Sequence, residues 1–238
     1  MRTSAILALA IAATIPFHAL AHGDMTAAYG GQIVEAGGDW RVEFTVRDGG
    51  IRAWVRDHAD KPVAATGKAA LLVNGRKVET PLSGGSDGLG ADIPVAAADK
   101  VAAILSLTIA GKPVSIRFSQ EALTVPRLSP QALAGQQVFG QVCAACHGTA
   151  LRGSDAGPPL LHPFYAAGMG HGDDIILAAA TKGAKAHHWK FGDMPKPDGV
   201  APGQERDLLA YIRAMQAANG LGATPAPGAS GHTGHAGH

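Results

Sequence analysis

The sequence predicts a multidomain protein, with an all-β sandwich of the Ig-like kind in the N-terminal half and an all-α domain in the C-terminal half. Three observations lead to this fold class. Apolar and polar residues alternate in several segments between residues 32 and 119, apolar residues recur at helical spacing after residue 130, and Pro126 and Pro130 bracket the change. A chain of 238 residues is long enough to bury a core in each half.

Three hairpins are predicted in the N-terminal half. In the first, apolar residues alternate between Trp40 and Val55 on both sides of a turn at residues 48–50. Asn74-Gly75 marks the turn of the second hairpin, and residues 111–113 mark the turn of the third. Seven or eight short strands within about 90 residues are typical of a small β-sandwich.

Three helices are predicted after the prolines. Ser129 is the expected N-cap of the first helix, with Pro130 at its first position. One face of this helix is expected to carry Leu133, Gln137, Val138 and Val142. Acidic residues near Gly172 and a stop at Gly183 predict the second helix, and apolar spacing predicts the third from about Gly203 to Ala218.

Residues 1–21 are predicted to be a signal peptide. Arg2 supplies a positive charge, an uncharged apolar run of 11 residues extends from Ala5 to Ile15, and residues 19–21 fit a cleavage site. This run is too short to span a bilayer, and no later segment comes near about 18 uncharged apolar residues. The sequence therefore predicts an exported, periplasmic protein that begins at His22 and has no membrane span in its mature form.

Changes in composition divide the remaining chain. The predicted β-sandwich domain occupies residues 22–121, a linker occupies 122–130, and the helical domain occupies 131–221. Residues 222–238 are rich in small residues and histidine, so a disordered tail is predicted there. Lys and Arg total 20 against 19 Asp and Glu, so no nucleic-acid partner is expected, because backbone recognition needs a surplus of cations.

The two cysteines of the chain stand together in the motif Cys143-Ala144-Ala145-Cys146-His147. A Cys-x-x-Cys-His motif is typical of c-type haem attachment, because two thiols one helical turn apart can each add to a haem vinyl group. The adjacent imidazole of His147 can then bind the iron. A redox dithiol of the thioredoxin type is the competing interpretation, but it predicts a βαβ context, and this motif lies between predicted helices. One covalent haem c is therefore the predicted cofactor.

Residues 131–221 resemble the class I c-type cytochromes. The motifs that carry the resemblance are Gly135 to Phe139, the Cys-x-x-Cys-His segment, Gly157-Pro158-Pro159-Leu160, Met194-Pro195 and Tyr211 in the last helix. The N-terminal half is only faintly similar to small periplasmic domains of metal-handling systems, without a specific motif.

The resemblance implies roles for several residues. It implies that Gly135 and Phe139 cross the last helix at Tyr211, where glycine allows a close approach. It also implies that the Pro158 carbonyl accepts the second imidazole N–H of His147, which would fix the ring. Leu160 is expected to pack on the haem edge.

The sixth iron ligand has several candidates. Met194 matches the Met-Pro ligand loop of the family, and His/Met ligation is the pattern of cytochromes c. Met169 lies in a glycine-rich loop and Met215 on the apolar face of the last helix. The pair His187-His188 is the alternative, which would lower the reduction potential. Trp189 is expected to border the haem, either with its indole N–H on a propionate or as simple packing.

Two functions follow from these residues. The first is outer-sphere electron transfer to a redox protein partner, such as a membrane oxidase or reductase. With both axial positions filled the chain is not expected to be an enzyme, unless the sixth ligand is labile. The second is a copper- or metal-handling protein whose haem supplies electrons to a metal held by terminal histidines, since imidazole suits copper, zinc and nickel. The candidate ligands are His22, His232, His235 and His238.

Overall fold

The computed structural model describes residues 27–85, 88–169 and 171–222. The predicted signal peptide, His22 and the tail histidines His232, His235 and His238 lie outside the described residues.

The described residues of the N-terminal half form eight antiparallel strands, which we call the β-sheet region. They are β1 (Gln32–Ala36), β2 (Trp40–Arg47), β3 (Gly50–Asp57), β4 (Ala65–Val73), β5 (Arg76–Gly85), β6 (Gly88–Asp92), β7 (Val101–Ile109) and β8 (Lys112–Gln120). Their order across the sheet is β1-β2-β3-β6-β5-β4-β7-β8.

The strands form one sheet, so the Ig-like sandwich is not confirmed. The first part of β5 pairs with β4 and its last three residues, Ser83 to Gly85, pair with β6, which joins the two halves into one sheet. Gln32 Nε2 in β1 donates a hydrogen bond to the Ser119 carbonyl of β8 at 2.6 Å, so the sheet curls on itself and is barrel-like. Period-two alternation reports one buried face per strand and cannot distinguish one curled sheet from two facing sheets.

All three predicted hairpins are confirmed. Asn74 and Gly75 have φ angles of 48° and 82°, the left-handed conformations that a tight two-residue hairpin turn requires. The third hairpin turns at Ala110 and Gly111, with φ angles of 47° and 78°. Lys112 and Pro113 already belong to β8, so this turn comes slightly earlier than predicted.

The sheet encloses an apolar core built from alternate residues. On β7 every second side chain is buried, namely Val101, Ala103, Leu105, Leu107 and Ile109. Strand β2 departs from this pattern, because Glu43, Thr45 and Arg47 are buried as well. The reason is tertiary: residues 28–31 and the loop after residue 147 both contact this outer face of β2.

In the C-terminal half, which we call the helical region, the part of the chain that the structure describes contains four α-helices. They are α1 (Pro130–Val138), α2 (Ala144–His147), α3 (Asp173–Lys182) and α4 (Gln204–Ala218). A π-helical turn (Phe139–Cys143) joins α1 to α2, and a 3₁₀ turn covers Pro163–Tyr165. Ser129 caps α1 by accepting a hydrogen bond from the Ala132 N–H at 3.2 Å, as predicted. Helices α3 and α4 also lie where they were predicted.

Helices α1 and α4 cross closely. A Cβ atom on Gly135 would lie 1.9 Å from the Asp207 carbonyl oxygen, so only glycine fits there. The rings of Phe139 and Tyr211 pack with centroids 5.5 Å apart, which confirms the predicted crossing.

The predicted face of α1 differs from the buried face at two positions, because Leu133 and Gln137 are exposed. Leu133 is 47% exposed, whereas Ala132, Gly135 and Val138 are buried. Small residues face α4 because the close backbone approach at Gly135 leaves no room for a leucine beside it.

Among the described residues, no helix is both long and apolar enough to cross a bilayer.

Candidate functional site: the Cys-x-x-Cys-His cleft

The residues of the Cys-x-x-Cys-His motif lie at the end of the π-helical turn and in α2. Cys143 is half-buried, Cys146 is exposed, and both are free thiols. π-helical turns frequently occur at functional sites. Here the turn ends at Cys143, immediately before the helix that carries Cys146 and His147. The local sequence contains no signal that predicts this turn.

His147 is held in one orientation. The residue is 8% exposed, and its Nδ1–H donates to the Pro158 carbonyl at 2.9 Å, which is the hydrogen bond that the family resemblance implies. Burial lowers the pKa of His147, although the Pro158 hydrogen bond acts in the opposite direction. The ring is therefore neutral near pH 7, with its proton on Nδ1 and a lone pair on Nε2.

The Cys143 thiol does not resemble that of a redox dithiol. Burial, with a smaller effect of Cys146, raises the pKa of Cys143 to about 11. Catalytic Cys-x-x-Cys motifs instead have a lowered thiol pKa, because the thiolate is the reactive species. The motif also follows a helix and precedes a loop, outside any βαβ unit. Both observations argue against the dithiol interpretation.

An apolar cleft opens beside the motif. His147 lines it together with Cys143, Pro158 and Leu160, and Met194 lines it from the loop after α3. Paired backbone hydrogen bonds of 2.9 Å between Ala184 and Met194 fix that loop. Cys146 is not among the residues that line the cleft.

Only one of the three methionine candidates reaches this cleft. Met169 is 57% exposed outside it, and Met215 is 1% exposed in the core between the helices. Met194 is therefore the thioether that shares a cleft with His147.

Trp189 also lines the cleft, but its donor is engaged. The indole N–H donates to the Tyr165 hydroxyl oxygen at 2.8 Å, so in this structure it is not free for another acceptor. The Trp189 ring packs edge-on against His162 and Phe164. This arrangement corresponds to the packing role.

A third histidine lies beside the pair His187-His188 in the loop after α3. His187 and His188 line the cleft, and His171, which lies before α3, joins them. Burial, followed by the charges of His187 and His188, lowers the pKa of His171. The sequence did not single out His171, because it is separated from the pair by the whole of α3.

The β-sheet region supports the loop that holds His147. The Arg47 guanidinium donates to the carbonyl oxygens of Arg152 and, at 2.8 Å, Tyr29. Arg152 in turn donates to the Ala97 and Glu121 carbonyls at 2.7 and 2.9 Å. A Cβ on Gly30 would lie 2.3 Å from the Pro159 side chain. These contacts place the β-sheet region directly against residues 152–159, which the sequence alone could not predict.

Comparison with protein families matches one segment of the helical region. The family model described as Cytochrome c matches residues 132–216. Residues 132–216 form a cytochrome c domain. This domain implies a haem c cofactor and a role in electron transfer. A search of curated proteins and a search of solved structures each found no match.

The cleft of the cytochrome c domain fits a haem by the chemistry of its donors. It combines an apolar lining, a buried neutral imidazole whose Nε2 lone pair accepts no hydrogen bond from the described residues, a thiol at its edge and a thioether. These are the groups that haem c attachment and axial ligation require. The β-sheet region has no family match, and its role is not identified by the comparisons.

Proposed function

We propose that this chain is an exported, periplasmic cytochrome that carries one covalent haem c and transfers electrons by an outer-sphere reaction. Cys143 and Cys146 would attach the haem covalently, and His147 and Met194 would bind its iron. The observation that carries this proposal is the shared cleft, since His147 and Met194 line the same apolar cleft and the other methionine candidates do not.

Each residue of the site has a distinct task. When bound, the haem supplies one-electron iron chemistry. The Pro158 carbonyl holds the Nδ1 proton of His147, which keeps the Nε2 lone pair available and raises its basicity. Leu160, Phe139 and Ile176 make the cleft apolar and exclude water, which favours a high potential together with the Met194 thioether.

Two protein ligands leave no axial position for a substrate, so we propose an electron carrier and not an enzyme. Haem catalysis would require Met194 to dissociate from the iron. The proposed partner is a redox protein, such as a membrane oxidase or reductase, that exchanges electrons at the edge of the site.

Replacement of the methionine tests the proposal. Ferric haem with a thioether ligand has a weak red charge-transfer band, and a filled sixth position prevents ready carbon monoxide binding by the reduced protein. Met194→Ala should abolish the band, allow carbon monoxide to bind and lower the reduction potential. Met169→Ala is the matched control, because this exposed methionine lies outside the cleft, and it should change none of these properties.

A Met194→Ala variant that keeps the band would contradict the axial assignment. A spectrum with two nitrogen ligands in the unsubstituted protein would transfer the assignment to the His187-His188 alternative. A pyridine haemochrome assay that detects no haem c would reject the function as a whole.

The alternative function is metal handling, with haem electrons delivered to copper held by His22 and the tail histidines. It rests on residues outside the described ranges. Copper titration distinguishes the two functions: stoichiometric binding that disappears when residues 231–238 are deleted or the N-terminal amine is blocked favours metal handling. Unchanged binding after both changes removes the support for it.

A further inference from the structure

Three imidazole rings meet at the edge of the haem cleft. His171 lies just before α3, and His187 and His188 lie in the loop that follows α3. One ring nitrogen from each histidine lies within 4.8 Å of the other two. The group contains no thiol and no carboxylate, so its donor set is three neutral nitrogen ligands.

The spacing of two of these nitrogens suits a metal ion. His171 Nε2 and His187 Nε2 are 3.1 Å apart. In a tetrahedral site with metal–nitrogen bonds of about 2.0–2.1 Å, two nitrogen ligands are separated by about 3.3 Å. The separation of these two nitrogens is therefore close to that of two ligands on one ion.

His187 is already oriented as a ligand. Its Nδ1 lies 2.8 Å from the Lys185 carbonyl oxygen, and a carbonyl can only accept, so Nδ1 carries the proton. The lone pair on Nε2 then faces His171. Metal-binding histidines usually show this arrangement, in which the second ring nitrogen donates to a carbonyl or carboxylate.

The surroundings hold the other two rings. The Phe164 ring lies 3.9 Å from the His171 ring and 4.5 Å from the His188 ring, measured between centroids. The carboxylate of Asp193 accepts hydrogen bonds from the Ala186 N–H at 2.9 Å and from Lys185 Nζ at 2.6 Å, which fixes the loop before His187. His171 Nδ1 is buried without a hydrogen-bond partner, a condition that often marks an ion or water in the complete site.

We propose that His171, His187 and His188 form a binding site for one divalent late-transition-metal ion, with Cu²⁺ bound more tightly than Zn²⁺. Imidazole is a preferred ligand of both ions, and the general affinity order of divalent metals places copper first. The site uses neither of the proposed iron ligands nor the terminal histidines. It therefore goes beyond the electron-transfer function and is independent of the metal-handling alternative.

Copper titration of the full-length, haem-loaded protein tests the site. The background variant carries His22→Ala, His232→Ala, His235→Ala and His238→Ala, which removes the terminal histidines that were predicted to bind a metal. We expect one equivalent of Cu²⁺ to bind by calorimetry, and Zn²⁺ to compete for it at higher concentration. His171→Gln, His187→Gln and His188→Gln should each weaken binding by roughly 100-fold or more, since even an outer partner of a ligand contributes about 10–100-fold.

His58→Gln is the matched control. His58 is an exposed histidine of the β-sheet region whose Nε2 lies 3.1 Å from the Gly38 carbonyl oxygen. This variant should bind Cu²⁺ as tightly as the background. A second measurement needs no further variant. Electron paramagnetic resonance of the Cu²⁺-loaded protein that lacks the four terminal histidines should show hyperfine coupling to imidazole nitrogens.

Three results would overturn the site. They are Cu²⁺ binding that survives the three substitutions, binding without nitrogen coupling, and a substitution that changes the axial haem spectrum while leaving Cu²⁺ binding unchanged. The last result would make that histidine an iron ligand. The Met194→Ala experiment judges the electron-transfer function separately, so failure of one proposal does not imply failure of the other.

Discussion

Glu43 organises the edge between the two halves of the chain. The residue is 4% exposed, and its carboxylate accepts hydrogen bonds from the backbone N–H groups of Ala28, Tyr29 and Gly31 at 2.9, 2.8 and 2.8 Å. These bonds hold the segment that places Gly30 against Pro159, next to the residue that orients His147. A single buried carboxylate on β2 thus contributes to the shape of the haem site.

Glu43→Gln is expected to lower the stability of the protein. The amide keeps the size of the side chain but turns an NH₂ group toward one or more backbone donors, so at least one charge-assisted hydrogen bond is lost. Such bonds contribute about 1.5–3 kcal/mol, and we expect a loss of about 2 kcal/mol in urea unfolding of the haem-loaded protein. Glu79→Gln, on an exposed part of β5, is the control and should have little effect. Equal unfolding midpoints for the two variants would contradict this role of Glu43.

At the scale of elements, the α1–α4 crossing fixes the position of the Cys-x-x-Cys-His motif. The motif follows α1 without a loop, so any separation of α1 from α4 also displaces Cys143. Two glycines on this path differ sharply. Gly135 is in contact with α4, whereas a Cβ on Gly140 would meet nothing within 4 Å.

Alanine substitutions at these glycines should have opposite effects. Gly135→Ala brings a methyl group to 1.9 Å from the Asp207 oxygen, so the helices must move apart. Overpacking of this kind costs about 1–3 kcal/mol. Gly140→Ala restricts the unfolded chain without a clash and should stabilise by about 0.4–1 kcal/mol. Thermal unfolding of both variants measures the difference, and a Gly135→Ala protein that melts with or above Gly140→Ala would show that the crossing is not tight.

The sequence predicts a turn or a helix end correctly where the signal comes from residues that are close together in the chain. Asn74-Gly75 specifies its turn through backbone conformation alone, and Ser129 caps α1 through a bond to a residue three positions away. The pairing of β5 with both β4 and β6 could not be predicted from the sequence, because it depends on which strands lie on each side of β5 in the folded sheet. The exposure of Leu133 likewise follows from the α1–α4 contact and not from the pattern of α1 itself.

At the scale of the whole molecule, two arginines join the β-sheet region to the cytochrome c domain. Arg47 is buried and binds carbonyl oxygens of both regions, those of Tyr29 and Arg152. Burial lowers the pKa of Arg47, although Asp155 and Glu43 act in the opposite direction. Thr149 adds a 3.0 Å hydrogen bond to the Asp48 carboxylate. Polar groups of the β-sheet region therefore hold the loop after His147.

Arg47→Met should uncouple the two regions. The substitution keeps an extended apolar chain but leaves two carbonyl oxygens without a donor, and each bond to a charged group contributes about 1.5–3 kcal/mol. We expect calorimetry to show a lower and broader unfolding transition, and limited proteolysis to cut faster between residues 121 and 130. Arg76→Met, at the exposed start of β5, should leave both readouts unchanged. A single unshifted transition in Arg47→Met would contradict a linking role for Arg47.

Part of the candidate site could be predicted from the sequence, again where the signal lies in residues that are close together in the chain. Cys143, Cys146 and His147 form a contiguous motif, and the Pro158 contact follows from a resemblance of motifs. His171, Glu43 and Arg47 carry no local signal, because their positions depend on chain segments that meet only after folding.

The π-helical turn at Phe139–Cys143 gives the helical rod one residue more than a regular α-helix would use over the same path. Each residue of an α-helix advances the side-chain direction by about 100°. The wider turn takes up the extra residue, so both sulfurs and the imidazole of His147 keep the direction that a regular helix one residue shorter would give them. Loss of Gly140 would therefore restore regular winding without turning the haem-binding motif, whereas an added residue that no wide turn absorbs would turn it by about 100° away from the cleft.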